Sequence, residues 1–168
     1  MDDQALKTTL RSLQFSAGFP GDVIRQLAAI SSTHEIDAGD TLFREGDLHE
    51  KLYLLVSGKV ALKMLVPGRG EVCLLTVGLG EFLGWSGFLQ QTAMTATAVA
   101  TEDSKLVATP TRQLNDLCEA NPSFGLQLTR RVAQALSRRL LATRLQLLDL
   151  FGDTPMAPPS NDPQLGRG

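Results

Sequence analysis

Ala38 to Leu62 reads AGDTLFREGDLHEKLYLLVSGKVAL, and its punctuation is that of short antiparallel strands. A first strand leads into the polar turn Glu45-Gly46-Asp47. A second passes through Tyr53 to Val56, Ser57-Gly58 turns the chain again, and a third strand follows. The glycines stand where a turn needs positive φ or close backbone approach. Leu42, Phe43, Leu52, Leu54, Val56, Val60 and Leu62 lie between the turns, several in alternation, as a compact β-roll requires.

The same grammar continues outward. Residues 32–37 (STHEID) alternate weakly, and 58–66 and 71–77 are joined by the hairpin signal Pro67-Gly68-Arg69-Gly70. Residues 93–101 and 104–109 read as two more strands around Glu102-Asp103. Eight or so short strands at this spacing predict a closed roll, over about 31–109. Helical periodicity flanks it at 3–14 and 20–30, where Val23, Ile24, Leu27 and Ile30 share a face behind Pro20. A short helix is expected over 111–120 and a long one from about 123 to 151.

Along the long helix Leu126, Thr129, Ala133, Leu136, Leu140, Thr143, Leu147 and Leu150 recur at spacings of three and four. Leu128, Val132, Ala135, Leu141, Leu145 and Leu148 add apolar surface beside that seam. A helix apolar on more than one side exceeds what one roll can cover. It is either a wholly intramolecular core helix or one half of a parallel helix pair; the second reading predicts a homodimer. Residues 152–168 carry four prolines within nine residues and no periodicity, so a disordered tail is expected there.

The composition is that of a soluble globular protein, with 43% hydrophobic and 20% charged residues in a chain of 168. MDDQALKTTL opens with polar and acidic residues rather than a signal peptide, and no apolar run approaches a membrane span, so a cytoplasmic protein is expected. Cys73, in an apolar strand, and Cys118, in a helix, read as buried reduced thiols. The net charge of −2 divides unevenly: residues 122–151 hold five Arg and one acid, Asp149. Five Arg over such a length make a solvated amphipathic face more readily than a nucleic-acid surface.

The string G-D-x-L-F-x-E-G-D…L-Y-x-L-x-x-G-x-V resembles the cyclic-nucleotide-binding domain of catabolite-activator-like (Crp/Fnr-like) regulators, kinase regulatory subunits and gated channels. The likeness covers roughly Phe15 to Phe151, and residues 1–151 are taken as one such domain. It implies a mainly β fold with flanking helices: an antiparallel β-roll (a jelly-roll, or double-stranded β-helix) followed by a long C-terminal dimerisation helix. The dimer would pair through Leu126, Ala133, Leu136, Leu140, Thr143, Leu147 and Leu150. Transcription factors of this kind continue into a helix-turn-helix. The residues after Phe151 cannot form one, so no direct DNA binding is expected, nor a membrane partner. A protein partner remains open.

The resemblance also implies a ligand pocket. A Glu after a Gly accepts from the ribose 2′-hydroxyl, the following short helix turns its N–H groups to the cyclic phosphate, and an Arg before Ser or Thr completes the clamp. Gly80-Glu81-Phe82-Leu83-Gly84 matches the first part, and Met94-Thr95 falls where Arg-Thr should stand. In a shifted register Gln91 takes that place. Neither supplies a charge, and between Arg69 and Lys105 there is no Lys or Arg at all. The candidate ligand residues are therefore Gly80, Glu81, Phe82, Leu83, Met94 and Thr95, with cAMP, cGMP or another small, even neutral, molecule as ligand. Arg69 or an arginine of the long helix is the nearest compensation the sequence offers. Glu81 has a second reading, as an acceptor for local backbone N–H groups, and Trp85 reads as a core or pocket-lid aromatic.

The chemistry of an enzyme is not in view. His34 and His49, read as exposed, are the only histidines and lack the paired spacing of a cupin metal site. No P-loop or nucleophile elbow occurs. The expectation is a non-catalytic regulatory module in which a ligand filling the roll near Glu81 and Thr95 re-seats the 111–120 helix and alters long-helix pairing. The alternative is a ligand-free, degenerate roll kept as a dimerisation or protein-docking module.

Overall fold

The computed structural model describes the backbone of residues 3–89 and 93–152 and the side chains of 4–89 and 93–145. Gln91, the side chains of Leu147 and Leu150, and residues 153–168 of the expected tail lie outside them.

The chain opens with α1 (Asp3–Ser12), a single 3-10 turn (Gln14–Ser16) and α2 (Gly21–Ile30). Eight strands follow: β1 (Ser32–Ile36), β2 (Thr41–Phe43), β3 (Lys51–Ser57), β4 (Val60–Val66), β5 (Gly70–Val77), β6 (Phe82–Leu83), β7 (Thr97–Ala100) and β8 (Ser104–Pro110). The short helix α3 (Trp85–Phe88) interrupts them after β6; α4 (Thr111–Ala120) and α5 (Pro122–Gly152) close the chain. The strands form two four-stranded sheets, β1-β8-β3-β6 and β2-β7-β4-β5, antiparallel throughout. This is the expected roll with its long helix.

β3 explains why alternation is imperfect in the sequence. Leu52, Tyr53, Leu54 and Leu55 are all buried, because both faces of this strand are covered. Leu52 and Leu54 face a helical core built with Leu10, Val23, Leu27, Leu114, Phe124 and Leu128. Tyr53 and Leu55 face the interior of the roll, with Phe43, Val60, Leu62, Leu83 and Leu106. Phe82 and Leu83 of β6 divide the same way, one to each core. The first sheet is thus the wall between roll and helices.

The Glu45-Gly46-Asp47 turn is held by Asp47, whose Oδ2 accepts from the Arg44 N–H at 2.9 Å. It also pairs with residue 94: Gly46 N–H donates to the Met94 carbonyl at 2.8 Å and Met94 N–H to that of Asp47 at 2.9 Å. These bonds occupy Met94 with the turn, so β7 begins only at Thr97 rather than at 93. Two burial expectations are corrected. Cys73 is exposed, because β5 is an edge strand of its sheet and shows half its residues to solvent. His49 is half-buried rather than exposed, its Nε2 2.6 Å from the Tyr53 hydroxyl.

α5 buries one stripe, Phe124, Leu128, Val132 and Ala135, against the helical core. At 100° per residue the opposite face carries Leu126, Ala133 and Leu140, with Leu141 and Leu145 beside them. Those four leucines are 53–59% exposed. Of the remaining seam residues, Leu136 packs partly on the helical core, and Thr143 donates its hydroxyl to the Arg139 carbonyl at 2.9 Å.

Leu128 is fully buried, so Leu128→Ala is expected to cost about 2–5 kcal/mol in urea unfolding through the cavity it leaves. A loss below about 1 kcal/mol would mean that α5 is not anchored on the helical core.

Candidate functional site

The segment from Gly78 to Phe88 meets the long helix at Phe82 and Trp85, and its shape follows from backbone bonding. Gly80 N–H donates to the Leu55 carbonyl at 2.8 Å and Leu55 N–H to that of Glu81 at 3.0 Å, which fastens the turn to the wall strand. Glu81 uses its Oε2 to accept from the Gly78 N–H at 2.8 Å, the local role that its position after a glycine allows. Gly84 then takes a left-handed conformation (φ 74°) at the start of α3. A Cβ there would stand 2.6 Å from the Lys51 carbonyl oxygen, so only glycine lets the chain pass β3 this closely.

The predicted ligand residues fall into two places. Met94 and Thr95 border a cavity of about 20 Å³ inside the roll, together with Phe43, Leu62, Gly84, Trp85, Ser86 and Ala96. That volume suits about one water molecule, whereas ligand pockets occupy roughly 300–1,000 Å³. Met94 is buried and belongs to the roll core, while Thr95 is exposed. Gly80, Glu81 and Phe82 line a second, open groove of about 490 Å³ between the 79–82 turn, the 3-10 turn and α5. Leu83 lines neither and is fully buried in the roll.

What links the two places is Arg139. Its guanidinium lies over the Trp85 ring, 4.4 Å from the centroid, and its Nη2 donates to the Phe82 carbonyl. Burial pulls its pKa down to about 10, with the charge of Glu81 acting in the opposite direction. Nη1 is buried and, among the described residues, has no hydrogen-bond partner. Four residues past Ala135, Arg139 extends the half-buried side of α5 to the turn carrying Phe82 and Trp85. The spacing was visible in the sequence; which face of α5 is buried was not. Arg131, two turns earlier, has a structural task. It donates to the carbonyls of Gln14 and Ala17 and stacks 4.5 Å from the Phe19 ring centroid. Arg69 is exposed in the β4–β5 turn.

A sequence profile of the cyclic nucleotide-binding domain matches residues 33–121, more than half of the chain. The chain belongs to the cyclic nucleotide-binding domain family. Over 109 residues it is 36% identical to the cyclic AMP receptor protein of Thermus thermophilus, which covers 65% of this chain and 49% of that protein. A stretch of 102 residues is 26% identical to lysophospholipase nte1 of Aspergillus fumigatus, 61% of this chain but 7% of that protein. The chain therefore spans at most about half of these two relatives. Among solved structures, the N-terminal domain of a transcriptional regulator from Streptomyces coelicolor A3(2) superposes with a TM-score of 0.64 at 32% identity, covering 77% of this chain and 93% of that one. Cyclic nucleotide-binding domains thus occur here beside regulators and beside an enzyme. Among the described residues no three His, Cys, Asp or Glu side chains stand together as a metal site would require, and no helix is long and apolar enough to cross a membrane.

Tyr53, beside Gly84 and 2% exposed, offers a readout of roll integrity. Burial pushes its pKa from 10.0 up to about 12. Between these values the folded chain keeps a proton that the unfolded chain has lost, so stability falls as pH rises from about 10 to about 12. Tyr53 is the single tyrosine. Its tyrosinate absorbance is expected to appear only as the protein unfolds or the pH nears 12; ionisation near pH 10 in the folded protein would contradict a closed roll.

Proposed function

We propose that this chain is a non-catalytic sensor module. A small ligand of the cyclic-nucleotide class enters between the 80–88 turn and the segment from Met94 that leads into β7, and α5 reports the change to a second copy of the chain. The observation that carries this reading is the hold of Arg139 on both Phe82 and Trp85, which ties the long helix to the turn where a ligand would bind. Entry requires Met94 and Trp85 to move. A methionine with three rotatable bonds suits that task, and the bistable element is the packing of α3 against the roll. The name of the Thermus relative, a receptor for cyclic AMP, supports this class of ligand, and Glu81 would exchange its bond to Gly78 for the ribose.

The pairing surface would be the exposed face of α5. Leu126, Ala133 and Leu140 recur every seven residues there, and the sequence extends the seam to Leu147 and Leu150. Four leucines more than half exposed on one helix are a large apolar surface for a monomer to leave in water. A second reading, a ligand-free docking module, is favoured by the burial of Met94 and the 20 Å³ of free space beside it.

Two measurements separate them. Light scattering at micromolar concentration is expected to give twice the chain mass, and Leu126→Lys with Leu140→Lys to give a monomer; a monomeric parent would remove the pairing. Calorimetric titration with cyclic AMP and cyclic GMP is expected to show saturable binding. Met94→Arg should tighten it about ten- to a hundredfold by adding a charge-assisted contact of roughly 1.5–3 kcal/mol. Binding by neither protein would favour the docking module.

A further inference from the structure

The Arg139 guanidinium is only partly satisfied. Nη2 has the Phe82 carbonyl, the planar face has the Trp85 ring, and Nη1 is buried with no partner among the described residues. A carbonyl dipole and a ring quadrupole are neutral partners, and neither neutralises a desolvated cation. The nearby carboxylate, Glu81, is bonded to the Gly78 N–H and makes no hydrogen bond to Arg139. A charged donor buried without an acceptor costs more than the ~1–3 kcal/mol of a neutral one, so the site favours a group that brings both an acceptor and a negative charge.

Trp85 decides where such a group would come from. Its ring carries Arg139 and also lines the cavity bordered by Met94 and Thr95. Phe43, Leu62 and Ala96 give that cavity an apolar lining, and among the described residues no Lys or Arg borders it. A ligand with a flat apolar body and one anionic group would meet apolar side chains first and find its cation on the helix, beyond the tryptophan.

We propose that Arg139, on the long helix, is the cation that receives the anionic group of the ligand, taking the part that residue 94 lacks. This rests on the sensor reading above. The ligand class is a nucleotide bearing one phosphodiester or similarly charged group, and the bond it forms is from Arg139 Nη1–H to an anionic oxygen. The same guanidinium holds Phe82 and Trp85, so capture of the anion changes the grip of α5 on the turn without any further element.

The test compares charged and neutral forms of one ligand. Cyclic AMP and cyclic GMP are titrated beside adenosine and guanosine, by calorimetry and by the fluorescence of Trp85, the single tryptophan. The parent protein is expected to bind the cyclic nucleotide at least tenfold tighter than its nucleoside. Arg139→Gln should reduce that ratio to about twofold or less, while an unchanged titration of Tyr53 shows that the roll stays closed. Arg139→Lys, which keeps the charge if the glutamine variant does not fold, should retain part of the ratio. If Arg139→Gln keeps the full preference, or Arg139→Lys behaves as though uncharged, Arg139 is not the anion receptor and the sensor reading stands. If the parent binds the nucleosides as tightly as the cyclic nucleotides, the same conclusion holds. If it binds none of the four, both this assignment and the sensor reading fall.

Discussion

A half-buried guanidinium on a tryptophan face organises this structure. α5 is anchored by Phe124, Leu128, Val132 and Ala135 along its first half. Arg139, about midway along it, ties it to one carbonyl and one ring of the turn that shapes the roll. The contact places a charge where water is scarce, which is costly unless the geometry serves something besides stability.

The roll supplies the other half of the arrangement. β3 is covered on both faces, by the roll interior through Tyr53 and Leu55 and by the helices through Leu52 and Leu54. The turn carrying Glu81 is bonded to the same strand at Leu55. Displacing Met94 or Trp85 from inside therefore presses on a wall whose other side is the seat of α2, α4 and α5. Close-packed interiors transmit such a change as a switch between arrangements rather than as a soft deformation.

Much of this was legible in the residues. Gly46, Gly58 and the Pro67–Gly70 run mark turns, and the strands between them stand close to where the spacing puts them. Cys73 misled because an apolar strand says nothing about whether it ends at the edge of a sheet. The start of β7 misled because Met94 bonds across to the Asp47 turn, a contact between residues 47 positions apart. At the site, the Gly-Glu pair and the uncharged residue 94 could be read directly. Arg139 could not be singled out among five arginines on a helix apolar on two sides, because which face is buried depends on the roll it docks against.

The measurement that bears most directly on this account is a double-mutant cycle between Arg139 and Trp85, using Arg139→Gln and Trp85→Leu in urea unfolding at one protein concentration. A desolvated cation over an indole ring predicts a coupling of about 1–2 kcal/mol. Losses that add within about 0.3–0.5 kcal/mol would show that the two side chains do not act as a unit, and the tie between the long helix and the turn at Gly84 would have to be sought elsewhere.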